Sequence, residues 1–210
     1  MAQPDERSAM RPADEALIVI DVQIDFCPGG ALAVAEGDQI VPRINAMMDD
    51  FATVILTQDW HPQDHSSFAE THPGAVPFAR IDMAYGKQTL WPRHCVQGSP
   101  GAEFHPDLRT DPAQLIVRKG FRQGIDSYSA LFENDRTTAT GLQGYLVARG
   151  IAKVVLVGLA TDYCVAYSAL DAVRCGFEVT VVQSACRAID PASLVAQQLA
   201  MRAAGVELLV

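Results

Sequence analysis

The 210-residue sequence is poor in positive charge and has no basic cluster: 16 Lys and Arg stand against 25 Asp and Glu, a formal net charge of −9. That balance excludes a surface built for nucleic acid or for an anionic membrane. Long apolar runs are missing too. The first, ALIVI at 16–20, is far too short to cross a bilayer. The polar stretch ahead of it has no apolar centre of the kind a secretory signal needs. The five cysteines are Cys27, Cys95, Cys164, Cys175 and Cys186, an odd number without framework spacing. They exclude a disulfide scaffold and suit a reducing compartment, so a cytoplasmic location is expected. Internal repeats and low-complexity tracts are absent. What is present is ordinary globular composition, 49% hydrophobic and 20% charged, enough for one good-sized core. Residues 1–14 are expected to form a flexible tail and residues 15–210 a single domain.

The pattern along the chain alternates strands and helices. ALIVIDV (16–22) is a β-branched run fit for a buried parallel strand, and TVILTQDW (53–60), QLIVRKG (114–120), KVVLVG and FEVTVVQSAC are read as four further strands. Helical spacing is found in 37–51 and 140–150, and DSYSALFEN is read as a short helix. DPASLVAQQLAMRAAG (190–205) opens with Asp190 as N-cap and Pro191 at its first position. VELLV adds an edge strand. Such an order predicts a three-layer α/β/α fold with a mostly parallel central sheet. Functional side chains then belong at the carboxyl ends of the strands. Asp21, Asp59, Lys119 and Cys164 all fall there.

Cys164 lies in VGLATDYCVAYSALDAVRCG, a buried strand followed by a turn and a helix, with Thr161 read as N-cap and Gly176 as terminator. The first turn of a helix offers free N–H groups that favour a thiolate and can hold an oxyanion. A buried structural cysteine is the competing reading. Asp21, ending the first strand, suits a general base. Lys119 suits a cation that lowers the Cys164 pKa and keeps Asp21 ionised. Asp25 is read as a local backbone acceptor.

Asp59 and His61 are two apart at a strand end, on one side of the chain. WPRHC brings His94 from the long loop 61–112, which also carries His65 and His72. Two imidazoles and a carboxylate with open positions form a working metal site for Zn²⁺, Fe²⁺ or Mn²⁺.

The stretches IDVQIDFCPGGALAV, TQDWHPQDHSSF, LWPRHCVQGSPGAEFHPDL, VRKGF, DSYSAL and GLATDYCVAYSALDAVRCGF cover most of the chain from residue 17 to about 187. Together they resemble the nicotinamidase/pyrazinamidase branch of the isochorismatase-like cysteine hydrolase family. The resemblance implies a metal-dependent amidase that converts nicotinamide, and pyrazinamide, to the acid and ammonia through a cysteine thioester, in NAD salvage. It implies Asp21, Lys119 and Cys164 as catalytic triad. It implies one divalent ion, zinc ahead of iron or manganese, on Asp59, His61 and His94, with His65 as a second-rank ligand. A cis peptide before Ala160 and an oxyanion hole from the Ala160 and Cys164 N–H groups follow from it as well. Phe26 and Trp91 are implied as walls for a flat ring, with Tyr128 close by. Ile24 stands where the family often has Asn, so Asp21 is expected to be held differently. The implied partner is a small molecule, with homo-oligomerisation left open. Two rivals remain at this point. One is a hydrolase of the same superfamily acting on carbamoyl, ureido or isochorismate substrates. The other is a non-catalytic metal-binding or thiol-sensing protein.

Overall fold

A computed structural model describes residues 10–210. Most of the expected N-terminal tail therefore lies outside the described residues. Of its last part, Arg11 N–H donates to Asp50 O and its guanidinium pairs with Glu15.

The strands are β1 (Glu15–Ile20), β2 (Thr53–Asp59), β3 (Arg80–Met83), β4 (Gly86–Thr89), β5 (Leu115–Lys119), β6 (Lys153–Leu159), β7 (Glu178–Arg187) and β8 (Glu207–Leu209). The helices are α1 (Val41–Met48), α2 (Leu142–Ala148), α3 (Ala166–Arg174) and α4 (Pro191–Ala203). Six strands form one sheet in the order β5-β2-β1-β6-β7-β8, with every pairing parallel. β1, β2 and β6 are buried almost throughout, because helices cover both faces of the sheet. Alternation sorts their side chains. Leu17, Val19, Leu56 and Val157 pack with α1 residues Ile44 and Met48. Ala16, Ile18, Ile20 and Leu156 face Leu146 of α2, Ala169 of α3 and Met201 of α4. No helix among the described residues is long and apolar enough to cross a membrane.

The chain leaves β1 toward one edge through β2 and β5, then returns to the other side of β1 as β6. The order reverses between β1 and β6, and such a switch point opens a crevice at the strands' carboxyl ends. Gly158 makes this junction close. It pairs with Ile20, has φ 117°, and any side chain there would run into the Ile20 carbonyl.

Three local expectations are corrected. The helix expected over 37–51 is a single 3₁₀ turn, Gly37–Ile40, followed by the shorter α1. DSYSALFEN is not helical, because its polar side chains take over backbone bonding. Asp126 Oδ1 accepts from Ser127 N–H, Asn134 Oδ1 from Tyr128 N–H, and Ser129 Oγ from Leu131 N–H. Thr161 does not cap the Cys164 helix. Ala160 precedes it, and its carbonyl accepts from both Tyr163 and Val165 N–H, opening the first turn, Thr161–Val165, into a π-helical one. The loop 61–112 also holds a β3–β4 hairpin that the sequence pattern did not reveal.

Candidate active site

Four neighbouring strands deliver the charged groups side by side. Lys119 ends β5 and is in register with Asp59 at the end of β2; Asp21 follows β1; Cys164 follows β6. Lys119 Nζ, fully buried, lies 2.8 Å from Asp21 Oδ2, 2.5 Å from Asp59 Oδ1, 2.9 Å from Ser127 O and 3.5 Å from Cys164 Sγ. Asp21, Asp59 and Cys164 each bring a ligand-type atom within 4.8 Å of the others.

Asp21 adopts the left-handed region, φ 48°, which Asp tolerates better than most residues. Thr57 of β2 holds it twice, accepting from its N–H at 3.1 Å and donating to Oδ1 at 2.5 Å. Oδ2, beside the ammonium, has no well-aligned hydrogen-bond donor and remains available for a proton. Gln23, also fully buried, accepts from Asp59 N–H and donates to Asp59 O and Ala102 O, clamping the ends of β1 and β2. Thr57 and Gln23 were missed from the sequence. For Thr57 a signal existed: a polar residue in an apolar strand, two before Asp59 and so on the same side of it. Ile24, in the position the family often gives to Asn, begins a 3₁₀ turn and bonds through its N–H to Glu103 O.

Burial and charge push the two carboxylates apart. Burial raises Asp59, but Lys119 and His61 outweigh it and hold the acid well below the usual range. Burial dominates at Asp21, whose pKa is raised despite Lys119. Desolvation would lower Lys119, yet the two carboxylates overcome it and hold the ammonium well above the ordinary lysine value. At Cys164, where the helix start is expected to favour a thiolate, burial acts the other way. Desolvation raises its pKa well above normal, with Lys119 opposing and both carboxylates adding to the rise.

Asp59, His61 and His94 bring donor atoms within 4.8 Å of one another. Asp59 Oδ2 lies 3.6 Å from His61 Nε2 and 3.8 Å from His94 Nε2. The opposite ring nitrogens face backbone oxygens, His61 Nδ1 to Gly120 O at 2.9 Å and His94 Nδ1 to Pro92 O at 2.8 Å. Each Nδ1–H donated there leaves the Nε2 lone pair turned toward Asp59. That donor set fits a divalent cation, second shell included. Gly120, φ 66°, is required here, since a side chain would collide with the His61 ring. Asp59 raises the His61 pKa against burial, so a cation binding there displaces a proton at low pH.

His65 is not brought into this set. Its Nδ1 lies 2.7 Å from Ser67 Oγ and accepts from Ser67 N–H, and its Nε2 lies 3.1 Å from Ile125 O. It sits instead against His61 and Asp126. His72 bonds to Ser66 O, away from the cluster. Asp25 does more than bond its own loop: besides Ala31 N–H it accepts from Cys95 N–H at 2.7 Å, fixing the segment that carries His94.

One pocket joins the two groups. Phe26, Trp91 and Tyr128 line it with Asp59, His61, His94, Ala160 and Cys164; Leu32, Asp126, Tyr163 and Ile189, not expected from sequence, line it as well. Phe26 lies 5.4 Å from the His94 ring, and Tyr163 meets Trp91 edge-on at 4.8 Å, so aromatic rings form much of the pocket wall. The Leu159–Ala160 peptide is cis.

Residues 15–209 match the isochorismatase domain model. The chain is 57% identical over 175 residues to a nicotinamidase of Acinetobacter baylyi, covering 83% of this chain and 82% of that one. A nicotinamidase/pyrazinamidase structure from Acinetobacter baumannii superposes with a TM-score of 0.94 at 55% identity, covering 95% and 97% of the two chains. A pyrazinamidase of Pyrococcus horikoshii in complex with zinc gives a TM-score of 0.77 at 38% identity, covering 93% and 98%. The chain belongs to the isochorismatase family, and within it to the nicotinamidase/pyrazinamidase branch of amidohydrolases.

Proposed function

We propose that this protein hydrolyses nicotinamide to nicotinate and ammonia through a thioester on Cys164, feeding NAD salvage, and that it needs a divalent ion, zinc first, on Asp59, His61 and His94. The observation that carries this reading is the aromatic-lined pocket in which Cys164, with Lys119 and its carboxylate Asp21 behind it, meets Asp59, His61 and His94. The relatives' named activity and the zinc in the Pyrococcus horikoshii structure support it.

The pyridine ring slots between Phe26 and Trp91, beside Tyr128, with the carboxamide carbon at Cys164 Sγ. Asp21 is the base: of two carboxylates sharing one ammonium, it is the one whose pKa is pushed up, and its Oδ2 is free to take a proton. Burial pushes the Cys164 thiol up, and its S–H proton passes to Asp21 as sulfur attacks the carbonyl carbon. The N–H groups of Ala160 and Cys164 hold the oxyanion; comparable donors are worth roughly 2.7–4 kcal/mol each. Asp21 returns its proton to nitrogen, the C–N bond breaks and ammonia leaves. Water then adds to the thioester, giving one proton to Asp21, which passes it back to the departing sulfur. Lys119 stays charged throughout and keeps Asp21 in place. A divalent ion, when bound, supplies Lewis acidity and an acceptor for the ring-nitrogen lone pair.

Three substrates assayed in parallel for ammonia test the reading. Nicotinamide should be hydrolysed, and pyrazinamide with a kcat/KM within about a hundredfold of it, since an aromatic slot discriminates weakly against one changed ring atom. A ureido compound should not react. Turnover of the ureido compound alone would move the assignment to the rival hydrolase class.

His94→Ala should lower metal content first and activity in consequence. The expected drop in metal affinity is at least about a hundredfold, since even outer partners of such ligands are worth 10–100-fold. Metal analysis after dialysis checks it; full metal content in the variant would remove His94 from the ligand set.

A further inference from the structure

We propose that Gln88 is a positioning residue of the substrate pocket: its side-chain amide holds the Asp126 carboxylate and the Tyr128 hydroxyl, and through Tyr128 the Trp91 indole, in the arrangement that receives the ring. The inference rests on the nicotinamidase reading.

The β3–β4 hairpin is mostly exposed and polar, yet Gln88 on β4 is fully buried. Its amide oxygen accepts from Tyr85 OH and Asn134 Nδ2, both at 3.1 Å. Its NH₂ group faces Asp126 Oδ2 at 2.7 Å, Thr89 O at 2.7 Å and Tyr128 OH at 3.0 Å. Both lone pairs and both hydrogens are therefore engaged, which fixes the amide's orientation. Trp91 Nε1–H donates to the same Tyr128 oxygen at 3.3 Å. Three of the residues reached this way, Asp126, Tyr128 and Trp91, line the pocket.

An apolar side chain would anchor a hairpin as well, without the cost of burying an amide. A glutamine is required where a buried carboxylate must be held. Asp126 is 2% exposed, and its oxygens are held by neutral donors, Ser127 N–H and the Gln88 amide. Without the amide, Asp126 is drawn to other donors and the Tyr128–Trp91 pair loses its fixed partner. Cys164, Asp21 and Lys119 are not among Gln88's partners, so the chemical step is spared while ring binding suffers.

Gln88→Glu replaces the donor with an acceptor facing Asp126. In steady-state ammonia assays it should raise the KM for nicotinamide at least about tenfold while kcat stays within about threefold, the signature of lost binding and not of lost chemistry. Gln88→Glu/Asp126→Asn restores one donor and one acceptor with polarity reversed, and should bring KM back to within about threefold of wild type. If Gln88→Glu does not fold, Gln88→Asn, one methylene too short to reach both partners, should raise KM in the same way. A wild-type KM in the single variant, a fall in kcat and thermal stability at unchanged KM, or a raised KM that the double variant does not lower overturns the inference. Wild-type turnover separates the two levels. Active wild type with an unmoved variant KM refutes the positioning role alone. A wild type inactive on nicotinamide refutes the functional reading beneath it.

Discussion

Replacing Cys164 with alanine is expected to lower kcat for nicotinamide by at least about 10⁴-fold, as loss of a nucleophile does in enzymes that pass through a covalent intermediate. Nothing else in the slot can replace it. Cys27, Cys95 and Cys186 are buried elsewhere, with thiols pushed up by burial, Cys27 to about 11 and Cys186 to about 12. The fold should survive. Only one sulfur atom is lost, a change of about 1 kcal/mol or less. Metal content should also be unchanged, because His61 and His94 keep their carbonyl partners and Asp59 keeps Lys119. Ammonia release, metal analysis and thermal unfolding on one preparation check all three points. Wild-type rates in the variant would sink the covalent mechanism.

Lys119→Met should damage both stability and rate. The ammonium is wholly buried between two carboxylates, at 2.8 Å from Asp21 and 2.5 Å from Asp59. Removing it leaves two buried acids facing each other, and loss of one partner from a buried ion pair costs about 3–5 kcal/mol. A divalent cation on Asp59 offsets part of that, so the fall in unfolding midpoint should be larger in chelator than in metal. The pH dependence has a definite sign. Lys119's folded pKa is raised above its unfolded value. Its contribution is therefore fully present below the unfolded pKa of about 10.4 and is lost only as pH rises through the folded value. Titration of the lysine itself should then leave its contribution unchanged from about pH 6 to 9. Turnover should drop by about 10³-fold or more, since Asp21 loses its anchor and Cys164 its nearest cation. Lys119→Arg should not rescue it, because a planar guanidinium has no room where a compact ammonium is enclosed. A stable, active Lys119→Met protein would show that the ion triad is not needed to organise the site.

Much of this was legible in the chain because burial writes itself plainly. The strands buried on both faces read as unbroken β-branched runs, and their ends marked where Asp21, Asp59, Lys119 and Cys164 would meet. The cap of α4 was equally clear: Asp190 accepts from Ser193 N–H, with Pro191 at the first position. Features set by polar side chains were not legible. The hairpin is short and exposed, and its anchor is one buried glutamine that no hydrophobic period announces. In DSYSALFEN, serines and an asparagine bond the backbone, and Ala130 N–H goes to Ser168 Oγ on α3, so a helical pattern yields to an irregular loop. The surroundings of Cys164 were only partly legible for a related reason. The helix start and the nearby lysine were visible, but the depth of burial and the two adjacent acids that outweigh them are three-dimensional facts.

The most direct test is ammonia release from nicotinamide by the purified protein, before chelation, after chelation and after return of zinc. The account predicts release that falls away on chelation, comes back with the divalent ion and yields one nicotinate per ammonia. No release from fully metal-loaded protein would contradict it, and undiminished release from fully chelated protein would contradict the role given to Asp59, His61 and His94.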